Sequence, residues 1–363
     1  MKDAPKQLLT EENYPYLESL LRGEILPPFE VEIQVSSRCP LSCPWCIGHR
    51  LQEGKQLRCL ANAITEQNAD RLVENLLSCM INGRTIHSFM LSGLIGEPLS
   101  PSSAGVTLRI AKLLVEAGRR VGVFTSGLFM DEHVAENLQI CDYVHVSLDV
   151  GPKAYGVKWP IDDDGYDRVL SGLAHLNQQR LLQESALKIN VGYIMMPESL
   201  EEMKGAAQDV KRVGADSIRI KQDISGAYSL DNQQQKRAED IIEDLRADLG
   251  GPDFAVHVIH PPKSDSREEQ WDRKLGCYFH NLFGTVGSDG NVYLCDHCAF
   301  PGSAPLGNVL NDSFKKIWLG SQRRAISEKV SQFCVSKVCP PFGNHVNCYL
   351  ESLSGEKVEV NEG

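Results

Sequence analysis

Cys39, Cys43 and Cys46 stand within eight residues of one another, in the run Ser36-Ser37-Arg38-Cys39-Pro40-Leu41-Ser42-Cys43-Pro44-Trp45-Cys46. Three thiolates on so short a segment can bind three irons of a cubane iron–sulfur cluster and leave the fourth iron open to a substrate or cofactor. The same sulfurs also fit a structural zinc knuckle with His49 as fourth donor, although zinc usually takes its remaining ligand from a second closely spaced pair. A second group follows in Cys277, Cys295, Cys298, Cys334, Cys339 and Cys348. Within it, Cys295-Asp296-His297-Cys298 reads either as cluster ligands or as half of a zinc site. Cys59, Cys79 and Cys141 stand alone, as small buried hydrophobes do.

The first triad needs a rigid platform, and the chain supplies one. Strands are expected at Glu30 to Ser36, Ser88 to Ser92, Val121 to Thr125, Tyr143 to Leu148, Leu187 to Ile194 and Ser217 to Lys221. Helical patterns alternate with them: a stripe of Leu72, Val73, Leu76, Leu77 and Met80 beginning near Thr65, then Ala104 to Ala117, Tyr166 to Leu176 and Leu200 to Val213. Gly118 and Gly214 follow two of these where left-handed caps belong. The alternation describes an α/β fold, a partial (β/α)6 TIM-like barrel, with the cysteine triad at the C-terminal end of its first strand, where such folds build their chemistry.

Beyond the helical stretch Gln233 to Leu249, the polar run from Pro261 to Glu269 reads as a surface connection. The expected division is an N-terminal extension at 1–28, the barrel at 29–260, a small cysteine-rich β-hairpin/helix domain at 261–352 and a tail at 353–363. Ser288-Asp289-Gly290 between Gly284-Thr285-Val286 and Asn291-Val292-Tyr293-Leu294 is a hairpin signal, and it delivers Cys295 just past the second strand.

Composition narrows the partners. The chain has 363 residues, 42% of them apolar, and 37 Lys plus Arg against 48 Asp plus Glu give a net charge of −11. That sign disfavours nucleic acid, whose binding rests on a basic surface. The N-terminus has no apolar signal core, and no stretch approaches the ~20 apolar residues that cross a bilayer. A cytoplasmic protein without a membrane partner is expected, and in a reducing cytosol the two cysteine clusters, nine of the twelve cysteines, serve metals rather than disulfides.

The segment Cys39-Pro40-Leu41-Ser42-Cys43-Pro44-Trp45-Cys46 resembles the CxxxCxxC signature of the radical S-adenosylmethionine (SAM) superfamily, with Trp45 in the aromatic place before the last cysteine. The resemblance implies a 4Fe-4S cluster on Cys39, Cys43 and Cys46 whose open iron chelates SAM. One-electron reduction from a donor such as flavodoxin or ferredoxin then yields a 5′-deoxyadenosyl radical. Ser92-Gly93-Leu94-Ile95-Gly96-Glu97-Pro98 resembles the family's GGE motif, departing at Ile95, and assigns Gly96 and Glu97 to the SAM amino group. Ser126, in Thr125-Ser126-Gly127, Ser147 at the end of the fourth strand and Ile194 on the fifth fall where the family places further SAM contacts. Cys277, twelve residues, Gly290, four residues and Cys295 resemble the opening of SPASM and twitch domains, implying one auxiliary 4Fe-4S cluster on Cys277, Cys295, Cys334 and Cys339. Cys298 and Cys348 are then alternate ligands or thiols that donate a hydrogen atom to a product radical.

Asp149, Lys158, Arg219 and Lys221 lie at or just beyond strand ends, and such a polar, mostly cationic set suits a carboxylated, phosphorylated or hydroxylated small molecule. Asp149 also stands as a candidate catalytic group or a simple turn former. The leading expectation is therefore hydrogen abstraction from a carbohydrate- or nucleoside-like metabolite, by dehydrogenation, epimerisation or elimination in natural-product biosynthesis. Maturation of a ribosomally made peptide is the alternative, disfavoured by the short segment ahead of the first strand. A non-catalytic metal-binding scaffold is the third reading.

Overall fold

The computed structural model describes residues 14–46, 60–93, 96–158, 164–223, 228–259, 277–299, 302–329, 347 and 350. Cys334, Cys339, Cys348, His49, Cys59 and Ile95 lie outside the described residues.

In chain order, β1 (Glu30–Gln34) is followed by a two-residue hairpin, β2 (Met80–Ile81) with β3 (Arg84–Thr85), and then by β4 (Ser88–Ser92), β5 (Arg120–Thr125), β6 (Tyr143–Asp149), β7 (Lys188–Met195), β8 (Ser217–Gln222) and β9 (Ala255–Ile259). Three short strands complete the count: β10 (Phe283–Val286), β11 (Asn291–Tyr293) and β12 (Gly307–Asn308). All but the hairpin form one ten-stranded sheet in the order β12-β11-β10-β1-β4-β5-β6-β7-β8-β9. The run from β10 through β1 to β9 is parallel, and β11 and β12 add antiparallel to it. The sheet is open, with β9 and β12 at its edges.

Period-two alternation explains which face does what. Val31, Ile33, Phe89, Val121, Val144 and Ile218 are fully buried on one face beneath the crossover helices. Each such side chain contributes roughly 1.5–3 kcal/mol when removed from water. The pairing register puts the intervening residues together on the opposite face: Glu30, Glu32 and Gln34 beside Ser88, Met90 and Ser92, and His145 and Ser147 beside Asn190 and Gly192. A parallel sheet covered on both faces would carry apolar residues at every position. Here the second face is mixed, with charged and polar residues interleaved with Met90, Phe124, Tyr143 and Ile194.

The helices follow the sequence pattern with physical exceptions. Glu66–Leu77 starts at Thr65, whose backbone N–H donates to Asn68 Oδ1 at 2.9 Å. Met80, expected on that helix, sits instead in β2 and is exposed, because the helix ends at Leu77 and the Asn82-Gly83 turn reverses the chain. Gly165–Leu182 outlasts its apolar stripe: Leu181 and Leu182 face solvent, while Arg180 ties the last turn to Asp216 at 2.6 Å and to the Gly214 carbonyl at 2.8 Å. The stretch from Leu200 divides into a tight turn, Leu200–Glu202, and a helix, Met203–Arg212. β9 is a seventh strand beside the six expected, short enough that Val256 and Val258 alone carry its alternation.

The cysteine-rich hairpin is continuous with the barrel sheet through β10 and β1. Asn75, on helix Glu66–Leu77, donates to the carbonyls of Val309 and Asp312 and accepts from Phe314 N–H at 2.7 Å, and the buried Trp318 indole donates to the Leu26 carbonyl at 2.7 Å. The distant segments share one frame.

Candidate functional site

The loop that bears Cys39, Cys43 and Cys46 is fixed at both ends. At its start, the Ser37 hydroxyl donates to the Leu60 carbonyl at 2.5 Å and the Ser37 N–H to Asn62 Oδ1 at 3.1 Å. Gly96 presses on the same backbone so closely that a Cβ there would lie 1.7 Å from the Ser36 carbonyl oxygen, and Glu97 N–H donates to the Arg38 carbonyl at 3.0 Å. At the other end, Ser42 N–H donates to the Lys158 carbonyl at 3.2 Å and the Trp45 indole N–H to Asp149 Oδ2 at 3.3 Å.

Beneath the loop, Lys158 and Asp149 form a buried ion pair at 3.0 Å, their side chains 1% and 9% exposed. The ammonium also donates to the carbonyls of Ser147 and Leu148, and lies over the Tyr155 ring at 5.5 Å. Burial alone pushes the Asp149 carboxyl upward, but the Lys158 charge, followed by that of Lys221, carries it below its ordinary range. Burial likewise opposes the Lys158 charge, and Asp149 together with Tyr155 and Cys43 outweighs it, so the ammonium is held above its ordinary value. Asp149 adopts φ +70° at a bulge in the β6–β7 register, a conformation costing about 1–3 kcal/mol for a residue with a Cβ. The two donors on its carboxylate hold it there.

The thiols themselves are partly exposed and free of disulfides. Burial pushes Cys39 up to about 11 and Cys43 up to about 12. At neutral pH these groups keep their protons until a metal displaces them, as soft cluster ligands do. Three soft sulfurs on one braced loop at the end of β1 are the donor chemistry a 4Fe-4S cluster takes, although among the described residues no three such side chains are gathered closely enough to hold a single metal ion.

Glu97 is buried, and three donors hold its carboxylate: Leu99 N–H at 3.0 Å, the Thr125 hydroxyl at 2.6 Å and Ser126 N–H at 2.7 Å. A carboxylate has about four acceptor positions, so three are taken in bracing β4 to β5. Ser126 is buried at the end of β5, Ser147 lends its carbonyl to Lys158, and Ile194 projects into the lumen from β7. Trp45 also meets Tyr228 edge-on at 6.3 Å, and Tyr228 lines a cavity of about 110 Å³ at the ends of β7 and β8 with Met195, Gln222 and Asp223.

The second cysteine group assembles from separate elements. Cys295 and Cys298 flank the turn Asp296–Cys298 with their sulfurs 3.6 Å apart, close to the ~3.8 Å expected of two thiolates on one tetrahedral metal with 2.3 Å bonds. Cys295 S–H donates to Cys298, which lowers the Cys298 thiol and raises that of Cys295. Cys277 bears on the same pair, and Asn347 holds its neighbourhood by accepting from Tyr278 and Phe279 N–H at 2.8 and 2.9 Å.

Residues not singled out from sequence complete the lumen. Glu32 accepts from the Ser92 hydroxyl, and burial, with Asp296 nearby, pushes its carboxyl up to about 8. His145 is buried beside Phe124, with ring centroids 4.7 Å apart. The alternation Glu30-Val31-Glu32-Ile33-Gln34 is the signal that could have found this polar face.

Comparison with known proteins places these features in context. The model of the radical SAM superfamily matches residues 33–214, and that of the SPASM iron–sulfur cluster-binding domain matches residues 277–340. A PqqA peptide cyclase of Granulibacter bethesdensis is 22% identical over 206 residues, 54% of this chain and 47% of its own. The match thus spans about half the length of that relative. Among solved structures, Streptococcus suis SuiB bound to precursor peptide SuiA superposes with a TM-score of 0.60 at 15% identity, over 90% of this chain and 73% of that one. The protein anSMEcpe with bound AdoMet gives 0.59 at 16%, over 86% and 88%. At these identities the likeness shows the fold. No helix among the described residues is long and apolar enough to cross a membrane.

Proposed function

This chain belongs to the radical SAM superfamily and carries a SPASM domain, and from that premise we propose that it modifies a peptide. The observation that supports this reading is the company the chain keeps: a relative named as a peptide cyclase and a similar fold bound to a precursor peptide. It displaces the expectation of a carbohydrate- or nucleoside-like metabolite. That expectation treated Asp149, Lys158, Arg219 and Lys221 as one ligand set, whereas Asp149 and Lys158 satisfy each other beneath the cysteine loop.

In this reading Cys39, Cys43 and Cys46 hold the 4Fe-4S cluster, and Gly96, Glu97, Ser126, Ser147 and Ile194 hold SAM. Bound together, cluster and SAM supply a carbon-centred radical for hydrogen abstraction once an electron donor such as flavodoxin or ferredoxin has reduced the cluster. The chain's own task is positioning. Asp149 and Lys158 act through the loop they anchor, Glu97 offers its remaining acceptor position to the SAM ammonium, and Trp45 with Tyr228 shields the strand ends from water. Cys277, Cys295, Cys334 and Cys339 are the four ligands of the auxiliary cluster in this reading, with Cys298, its sulfur 3.6 Å from that of Cys295, as the alternate ligand; Cys348 stays the candidate hydrogen donor.

The test is anaerobic. Reconstituted protein is incubated with SAM, a reductant and either short peptides encoded beside its gene or a panel of sugars and nucleosides. A peptide that changes mass and accelerates 5′-deoxyadenosine formation is the expected result. Acceleration by the metabolite panel alone would contradict the proposal.

A further inference from the structure

The lumen face of β8 presents two cations in succession, Arg219 and Lys221, since Ile218 and Ile220 turn to the helices and are fully buried. Both are partly sheltered from solvent, yet among the described residues neither has a hydrogen-bond or ion-pair partner. Burial lowers both below their ordinary values, Asp149 opposing the effect at Lys221. The charges bearing on Lys221 are Asp149, Arg219, Lys158 and Asp223. With Lys221 itself that makes three cations against two carboxylates, and the Asp149 carboxylate is already taken by Lys158 and Trp45. A sheltered cation left in excess is unfavourable unless an anion joins it.

A third group points to the same place. His145, on β6, is only 5% exposed, and its Nδ1 has no hydrogen-bond partner. Its ring is held neutral, first by burial and then by the charges of Arg219 and Lys221. Gly192 makes the arrangement possible: it pairs with Arg219 across the β7–β8 register, and a Cβ there would stand 2.8 Å from His145 Nε2. Glycine thus lets the imidazole lie across β7 toward the β8 cations.

We propose that Arg219 and Lys221, with His145 beside them, form a carboxylate-binding site that receives an acidic side chain of the peptide substrate. Arg219 offers a planar fork matched to two carboxylate oxygens, and Lys221, one level nearer the strand ends, a point charge. Lys221 pairs with Ile194 in the sheet register, so a substrate carboxylate seated here sets the adjacent backbone against the strand ends where SAM is assigned. The SAM carboxylate is the other source of the same chemistry.

The proposal rests on the peptide reading, but its test does not depend on turnover. Binding of acetyl-Gly-Glu-Gly-amide and of its Gln analogue is measured by saturation-transfer NMR on the reconstituted full chain, with SAM affinity measured in parallel. Wild type should favour the Glu peptide by about tenfold, the loss of a charge-assisted interaction. Arg219→Gln/Lys221→Gln should erase that preference while leaving SAM affinity within about twofold, and Arg219→Lys should retain most of it. Should the double variant fail to hold iron, Lys221→Met alone serves, with a partial loss expected. Equal binding of the two peptides to wild type would overturn the site. Loss of SAM affinity with the peptide preference intact would assign the cations to SAM and overturn the substrate role. A failed peptide reading shows differently, as absence of any peptide that stimulates SAM cleavage.

Discussion

Lys158, on the short helix Tyr155–Lys158 that follows β6, and the pair Arg219 and Lys221, on β8, are balanced in opposite ways. Lys158 is saturated: a carboxylate, two carbonyls and an aromatic ring surround its ammonium. Arg219 and Lys221 have no partner among the described residues, and Asp149 acts on Lys221 from a distance. The first arrangement is what a scaffold needs, because an ion pair that satisfies itself can anchor a loop. The second is what a binding face needs, because an unmatched charge stores affinity for something that arrives. The two therefore respond to substitution with opposite signs.

The largest effect should come from the saturated side. Lys158→Met leaves Asp149 buried at φ +70° without its counter-ion, and urea melts at pH 7 should show about 3–5 kcal/mol lost, with iron retention falling in step. Lys221→Met should leave stability unchanged or raise it, since it removes a sheltered cation that no described residue pairs. Similar losses from both would erase the distinction.

Gly96→Ala sharpens the comparison at the other end of the loop. Its Cβ would collide with the Ser36 carbonyl, so about 1–3 kcal/mol of stability should disappear together with cluster retention. A variant with normal iron content would show that the loop yields there.

Glu32→Gln tests the acidic wall opposite the β8 cations. Its carboxyl is raised from 4.5 to about 8, so it is ionised in the unfolded chain and still protonated in the folded one across that window. Stability of wild type should thus fall as pH rises from about 4.5 to 8 and return in full on acidification. The Gln variant should be more stable at pH 8, by roughly 2 kcal/mol, and indistinguishable at pH 4.5. Parallel pH profiles for the two proteins would remove the assignment. The smallest effect belongs to Arg109→Ala: the Arg109–Asp70 pair is open to solvent on both sides, and melts should not move.

What the sequence disclosed follows from range. The cysteine triad is local, so its spacing alone placed three sulfurs on one loop after β1, and the expected strands fall within two residues of those observed. Thr65, Gly118 and Gly214 marked helix ends by local backbone chemistry. The Lys158–Asp149 pair was hidden although its members are nine positions apart, because it depends on the bulge at Asp149 and on the short helix that carries Lys158. The approach of Cys298 to Cys295 was not legible, because spacing does not show that the turn after Cys295 brings the two sulfurs within 3.6 Å. The union of β10 with β1 joins residues at opposite ends of the chain, beyond what periodicity can express.

The account stands on three sulfurs that keep one cluster position for SAM. Anaerobic reconstitution with iron and sulfide, followed by SAM and a strong reductant, should give 5′-deoxyadenosine from wild type and none from Cys43→Ala. A wild-type protein with a complete cluster and no 5′-deoxyadenosine would contradict it.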